Sequence, residues 1–424
     1  MIGRRFKKTK RNSRFMKTLL TLALAAVMSL GSLSTVFAAA GPISGGTQGA
    51  PAQAVISKEL KMADGTTTPA ATFTFQLAKK DIDGDSTAAA QATMPAIADK
   101  SVTFASTDTG STAAGVKTVT KDTASLFAGI TWPHAGVYTY TVTETANTYT
   151  NGSGESMSYS SGSYDISVYV VNGSPNYVEA IGTYVVVADH AGQIAGDKTD
   201  PQASTEVTGA YRAMVFTNTF KKTNGGTDVT NPAHRTLAIS KTVGGAYGDQ
   251  TKYFANNITV TQNALFTGTT YKGYVLENGA VVTAAANGTI AGTDPTNGAY
   301  INFPSGTTVT VNLKHGQTLA FLDNEVGSSY VATEPAVVDY APTASVIVNG
   351  GTPIALGSAT VFNTALSTAS RLIGENANSA AFTNTYKTIT PTGIALNNLP
   401  FIMIIVLAVG AFAAYIVVKS RKRV

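Results

Sequence analysis

Four residues stand in two matched settings. Val55-Ile56-Ser57-Lys58 is echoed by Ala238-Ile239-Ser240-Lys241, and Phe216-Thr217-Asn218-Thr219-Phe220 by Phe382-Thr383-Asn384-Thr385-Tyr386. Each lysine opens a strand-rich block and each asparagine closes one. An amine and a carboxamide held side by side can condense to an isopeptide bond with loss of ammonia. The amine must first be neutral. Burial achieves this, because desolvation lowers a lysine pKa and raises that of a glutamate, leaving a nucleophile beside an acid. Glu144, ending Tyr138-Thr139-Tyr140-Thr141-Val142-Thr143-Glu144, and Glu334, ending Tyr330-Val331-Ala332-Thr333-Glu334, are the candidate acids. Their expected role is to donate a proton to the asparagine amide oxygen and so polarise it. Holding the groups on adjacent strands supplies an effective molarity of ~10⁵ M or more. No metal or other cofactor is needed. Each block performs the reaction once on itself, so the chain is read as a structural protein and not as an enzyme.

The elements that must position these groups are strands. Phe73, Phe75 and Leu77 alternate with polar neighbours, as do Tyr138, Tyr140 and Val142, then Tyr164, Ile166, Val168 and Val170. Val309, Val311 and Leu313 do the same in the second block. This period of two is that of half-buried strands. Ile56, Lys58 and Leu60 share one face, and Phe216, Asn218 and Phe220 share one face, so the alternation turns Lys58 and Asn218 inward and Lys61 outward. Glu144 is in phase with both tyrosines, and Glu334 with Tyr330. In the second block Asn363, in Phe362-Asn363-Thr364, competes with Asn384 for the acceptor role. Asn384 is preferred for its flanks and its place at the end of the block. Many short strands without a strong amphipathic helix predict an all-β chain of two tandem immunoglobulin-like β-sandwiches, antiparallel in their pairing. The Ala-rich stretch 85–100 reads as a short helix or a loose excursion.

The predicted organisation is a signal peptide over 1–40, a flexible mature N-terminus over 41–53, one sandwich over 54–220, a linker over 221–235, a second sandwich over 236–387, and a terminal signal over 388–424 with a transmembrane helix at 399–418. The N-terminal segment has a basic run to Lys17, an apolar core from Thr18 to Leu33 and small residues placing cleavage after Ala38 or Ala40. The apolar C-terminal span is long enough to cross a bilayer and ends in basic residues, which stay cytoplasmic. Twelve of the 30 lysines and arginines sit at the two ends, leaving 18 in the middle against 25 acids, a net charge of −7. With no basic stripe there, nucleic acid is excluded as a partner. There is no cysteine, so no disulfide and no thiol chemistry. The four histidines are scattered, without metal-ligand spacing or a nucleophile elbow, which argues against a hydrolase.

The Ser-Lys strand starts, the Tyr-x-Val-Thr-Glu strand and the Phe-Thr-Asn-Thr-(Phe/Tyr) ends resemble those of Gram-positive shaft pilins. These are built from immunoglobulin-like, collagen-adhesin B-type domains with self-formed Lys–Asn isopeptide bonds, and the likeness is close to the streptococcal type. The resemblance covers most of 54–393 and implies the pairs Lys58–Asn218 and Lys241–Asn384, with Glu144 and Glu334 as their catalysts. The second block departs in Ala332, where the first has Val142, and in a shorter Glu-to-Asn interval. Thr388-Ile389-Thr390-Pro391-Thr392-Gly393, an apolar span and a basic end resemble a sortase sorting signal of the x-x-Pro-Thr-Gly form, cut between Thr392 and Gly393. The implied protein is a secreted major pilin of a Gram-positive cell wall, joined head to tail to identical subunits by a dedicated sortase. Peptidoglycan and accessory pilins are further partners, and the membrane is a partner only before sorting. Lys198, in the polar turn Gly196-Asp197-Lys198-Thr199-Asp200-Pro201, is the candidate acceptor of the next subunit, with Lys221 and Lys222 as rivals. A single-subunit wall-anchored adhesin binding a host ligand is the alternative.

Overall fold

The computed structural model describes residues 42–421 except 191, 225 and 389–391, and the side chains of 392–399 are not described. The signal-peptide region, part of the sorting motif (Ile389, Thr390 and Pro391) and the last three residues therefore lie outside the described residues. The chain folds as two β-sandwiches followed by one long helix.

In the first sandwich one sheet orders Gln202–Ala203, Ala210–Lys222, Gln53–Ala63, Val116–Asp122 and Ser111–Ala113, with Glu155–Ser158 also pairing on Ala210–Lys222. The facing sheet orders Lys100–Phe104, Ala71–Ile82, Gly136–Glu144, Ser163–Val171 and Tyr177–Val187. Inward side chains of both sheets make one core, with Phe73, Phe75, Tyr138, Tyr140, Val142, Tyr164, Ile166 and Phe216 fully buried. Aromatic rings pack against one another, tilted in the Phe75–Phe216 pair and edge on in Tyr164–Phe216, at 5.0 and 5.1 Å between ring centres. The Ala-rich stretch holds a short helix, Ala88–Thr93, capped by the Thr87 hydroxyl, which accepts from the Ala90 N–H.

The second sandwich repeats the plan. Leu237–Gly244 lies between Gln317–Phe321 and Ser379–Tyr386 in the larger sheet, which Tyr340–Ile347 extends. Phe254–Thr261 and Ser329–Glu334 are central in the facing sheet. Its own buried cluster includes Ile239, Ile258, Phe303, Leu319, Phe321, Tyr330 and Phe382.

Among the described residues pairing is antiparallel except at one place in each domain. Gln53–Ala63 pairs with Ala210–Lys222 in parallel, and Leu237–Gly244 pairs with Ser379–Tyr386 in parallel. This corrects the purely antiparallel expectation. Parallel neighbours need a long crossover, and here the crossover is the rest of the domain. Entry and exit therefore lie at opposite poles of each sandwich.

Residues 42–52 also differ from the flexible lead-in that their composition suggests. Ile43 exchanges both backbone hydrogen bonds with Ile181 at 2.8 Å, and the Gly46 and Ala52 N–H groups donate to Glu179 and Val178. Ile43 and Ala52 are buried. Over 226–235 the linker folds onto the second domain, with Val229 buried against Tyr274 and Leu276. The two sandwiches touch. Glu375 accepts from the N–H and hydroxyl of Thr67 and pairs with Lys222 at 3.2 Å, while the buried Asn263 amide donates to Gly115 and Gly327 carbonyls. At the C-terminus a helix runs Thr392–Arg421, and Pro400–Arg421 is long and apolar enough to cross a membrane.

Candidate functional site: a buried lysine, glutamate and asparagine in each domain

The parallel register creates the site. Lys58 pairs with Phe216, so Asn218 lies two residues further along, on the same face. Lys241 pairs with Phe382, and Asn384 lies two residues further along. The offset is identical in both domains. The acids come from the opposite sheet, Glu144 at the end of Gly136–Glu144 and Glu334 at the end of Ser329–Glu334. All six side chains point between the sheets. Lys58, Asn218 and Glu334 are completely buried, and Lys241 and Asn384 nearly so; the Glu144 side chain is also fully covered.

In the first domain the Lys58 amine donates to Glu144 Oε2 at 2.6 Å, and the Asn218 Nδ2 donates to Glu144 Oε1 at 2.7 Å. One carboxyl thus bridges amine and amide. The second domain repeats the bridge: Lys241 Nζ donates to Glu334 Oε2 and Asn384 Nδ2 to Glu334 Oε1. Each ammonium also faces a ring, Lys58 over Phe73 at 4.8 Å and Lys241 over Phe254 at 4.2 Å. These rings wall off water and leave each glutamate as the main ionic partner.

Electrostatics follow from burial. Desolvation lowers both lysines to about 8 despite the attraction of the adjacent glutamate. Desolvation also pushes Glu144 above the ordinary carboxylate range. Both shifts favour the neutral pair of amine and acid. The amide orientation differs from the one the sequence reasoning assigns. Asn218 Oδ1 does not meet Glu144 but accepts the Ser160 backbone N–H at 2.7 Å. The carboxyl therefore faces the amide nitrogen and not the carbonyl oxygen. Sequence could not give this, because amide orientation depends on a donor 58 residues away.

Of the two asparagines proposed in the second block, Asn384 is the buried one beside Lys241. Asn363 sits in a turn at φ 60° and accepts from the Asp339 N–H, exposed to solvent. Lys61 is partly exposed beside Glu59, as its outward phase requires. Lys198 is exposed, with its amine 5.6 Å from the Tyr184 ring centre. Its rivals are at the domain junction, Lys221 over the Phe266 ring and Lys222 paired with Glu155 and Glu375. Thr392 and Gly393 open the C-terminal helix. Phe73 and Phe254 are part of the site, and their inward phase was readable for Phe73. Ser160 and its partner Asp189 lie in connections with no periodic signal.

Residues 54–221 match the family described as the Spy0128-like isopeptide containing domain, and 235–386 match a domain family of unknown function. The first of these matches spans the sandwich that holds the buried Lys58, Glu144 and Asn218. Among solved structures the chain is similar to the major pilin from Streptococcus pyogenes, at 18% identity over 79% of this chain and 99% of that one, with a TM-score of 0.31. It is also similar to the major pilin T3.2 of the same organism, at 17% identity over 80% and 98% with a TM-score of 0.29. The pilus-presented adhesin Spy0125 is similar at 20% identity over 54% of this chain and 36% of that one, with a TM-score of 0.23. No curated protein matches the chain.

Proposed function

We propose that this chain is the shaft subunit of a covalently polymerised surface pilus, and that each sandwich is locked by a self-formed isopeptide bond. The observation that supports this most is the duplicated bridge: two domains, one register, one carboxyl touching both the amine and the amide. In the reaction the neutral Lys58 amine adds to the Asn218 carbonyl carbon. Glu144 Oε2 takes the proton that the new N–C bond makes acidic, and Oε1 returns one to the amide nitrogen, which leaves as ammonia. Lys241, Glu334 and Asn384 do the same in the second domain. The carboxyl ends as it began, so nothing else is consumed.

The proposed role is to bear tension. First and last strands are parallel, so a pull on the two ends of a domain shears them past one another. A bond between these strands carries the load directly. A sortase would cut between Thr392 and Gly393, after export by the N-terminal signal, and pass the Thr392 carboxyl to an exposed amine of the next subunit, for which Lys198 is the choice. The product would be anchored on the peptidoglycan of a Gram-positive wall. The test is a denaturing gel of wall extracts followed by tryptic mapping. A ladder of high-mass multimers with Thr392 joined to Lys198 is expected. Monomer alone on the wall would refute the shaft subunit and leave a single-chain adhesin.

A further inference from the structure

The two sites differ in what holds the asparagine oxygen. In the first domain Asn218 Oδ1 accepts the Ser160 N–H. The strand Glu155–Ser158 brings this donor into place, since Ser158 pairs with Thr219, next to Asn218. Beyond that strand the chain turns at Ser160–Gly162 and enters Ser163–Val171 in the facing sheet. Asp189 grips the turn: its Oδ2 accepts from the Ser160 hydroxyl and from the Gly162 N–H, the latter at 2.8 Å. Gly162 is required for this grip, because a β-carbon there would lie 2.5 Å from Asp189 Oδ1. In the second domain no strand or turn plays this part. The corresponding edge is occupied by Tyr340–Ile347, with Pro342 opposite Asn384. Asn384 Oδ1 is buried and accepts no hydrogen bond among the described residues.

The chemistry makes this difference matter. When the lysine amine adds to the carbonyl carbon, the C=O π pair moves onto Oδ1, which carries the negative charge until the C–N bond to ammonia breaks. A preorganised N–H at that oxygen stabilises the transition state, and loss of one such donor commonly slows a reaction on the order of 10²-fold. We infer that the Ser160 N–H is an oxyanion donor for the first-domain bond, that Asp189 is the positioning residue that aims it, and that the two bonds of one chain consequently form at different rates, the first domain leading. This rests on the Lys–Asn reading above and adds an asymmetry that the matched sequence motifs do not contain.

The experiment follows both bonds in the same molecules. Full-length chain is made by cell-free synthesis with detergent present, sampled over time, quenched and digested, and the branched peptides Lys58–Asn218 and Lys241–Asn384 are quantified. The first should form at least about 10-fold faster. Asp189→Ala should slow it about 10- to 100-fold and leave the second bond unchanged. Ser160→Ala, which keeps the N–H but loses the hydroxyl held by Asp189, should slow it less, and Asp189→Asn, which keeps an acceptor oxygen, should recover part of the rate. A merely structural role is separated by repeating Asp189→Ala in the unlinked Asn218→Ala background. There the first domain's thermal midpoint should be unchanged. Equal rates of the two bonds overturn the inference, as does a first-domain rate indifferent to both variants or slowed only in step with a lost thermal transition. If neither bond forms in the unaltered chain, the Lys–Asn reading itself fails. If both form at equal rates, only the present inference does.

Discussion

Asn218→Ala should turn the first domain from inextensible to extensible. The substitution removes the carboxamide but leaves the Lys58–Glu144 pair at 2.6 Å, so the unlinked domain keeps a partner for its buried cation. Glu144→Ala would instead strand that cation, at a cost of roughly 3–5 kcal/mol. Between Lys58 and Asn218 lie 159 residues. With the bond present, tension enters along Gln53–Lys58, crosses to Asn218 and leaves toward Lys222, so those residues are never stretched. Without it they unravel, adding about 550 Å of contour at 3.3–3.6 Å per residue. The second domain, with 142 residues between Lys241 and Asn384, would release about 500 Å if its bond were removed by Asn384→Ala. Single-molecule pulling from the two ends of the 42–387 segment reads this directly. The unaltered protein should show neither step, each variant one, and the double variant both. A full-length release from the unaltered protein would refute the force path. So would an Asn218→Ala trace without the longer step.

Loop closure makes a thermal counterpart. Treated like any cross-link, a closed loop of this size contributes about 5 kcal/mol in the chain-entropy model, so Asn218→Ala should lower the first domain's unfolding midpoint by many degrees in calorimetry and leave the second domain's transition in place. Bond formation should follow lysine ionisation. With Lys58 lowered to about 8, the rate in freshly refolded protein should climb with pH up to about 8 and then level, and a rate flat from pH 5 to 9 would count against the amine as nucleophile. The unlinked Asn218→Ala chain offers an equilibrium check. Its folded-state lysine pKa lies below the unfolded value of 10.5, so the unfolded chain holds more protons in the interval between them, and stability should rise with pH from about 8 to 10.5. Lys198→Ala should abolish the multimer ladder without changing either internal bond, as read by gel and by mass of the monomer.

The inward residues were legible because a strand's period of two sorts side chains with little ambiguity. Ile56-Ser57-Lys58 and Phe216-Thr217-Asn218 each announce a polar group on an apolar face, and Tyr138 to Glu144 and Tyr330 to Glu334 add an acid in phase. What period cannot convey is which strands pair and in which direction. The parallel match of first and last strands depends on the whole intervening domain, and it sets the two-residue offset between Lys58 and Asn218. Residues 42–52 show a second limit. Their Gly, Pro and Ala content describes a chain with little side chain to bury, yet Ile43 and Ala52 are buried and the segment bonds along the edge strand Tyr177–Val187. The amide orientation is a third case. Motifs matched in sequence hide unequal surroundings, since the Ser160 N–H and Asp189 come from connections, where no repeat constrains the residues.

Intact mass of the purified 42–387 segment tests the central claim most directly. Each amide formed expels one ammonia when a burial-activated amine attacks, so the account predicts a mass about 34 Da below that of the sequence, falling to about 17 Da below in Asn218→Ala after correction for the substitution. A mass equal to the unmodified sequence would contradict it.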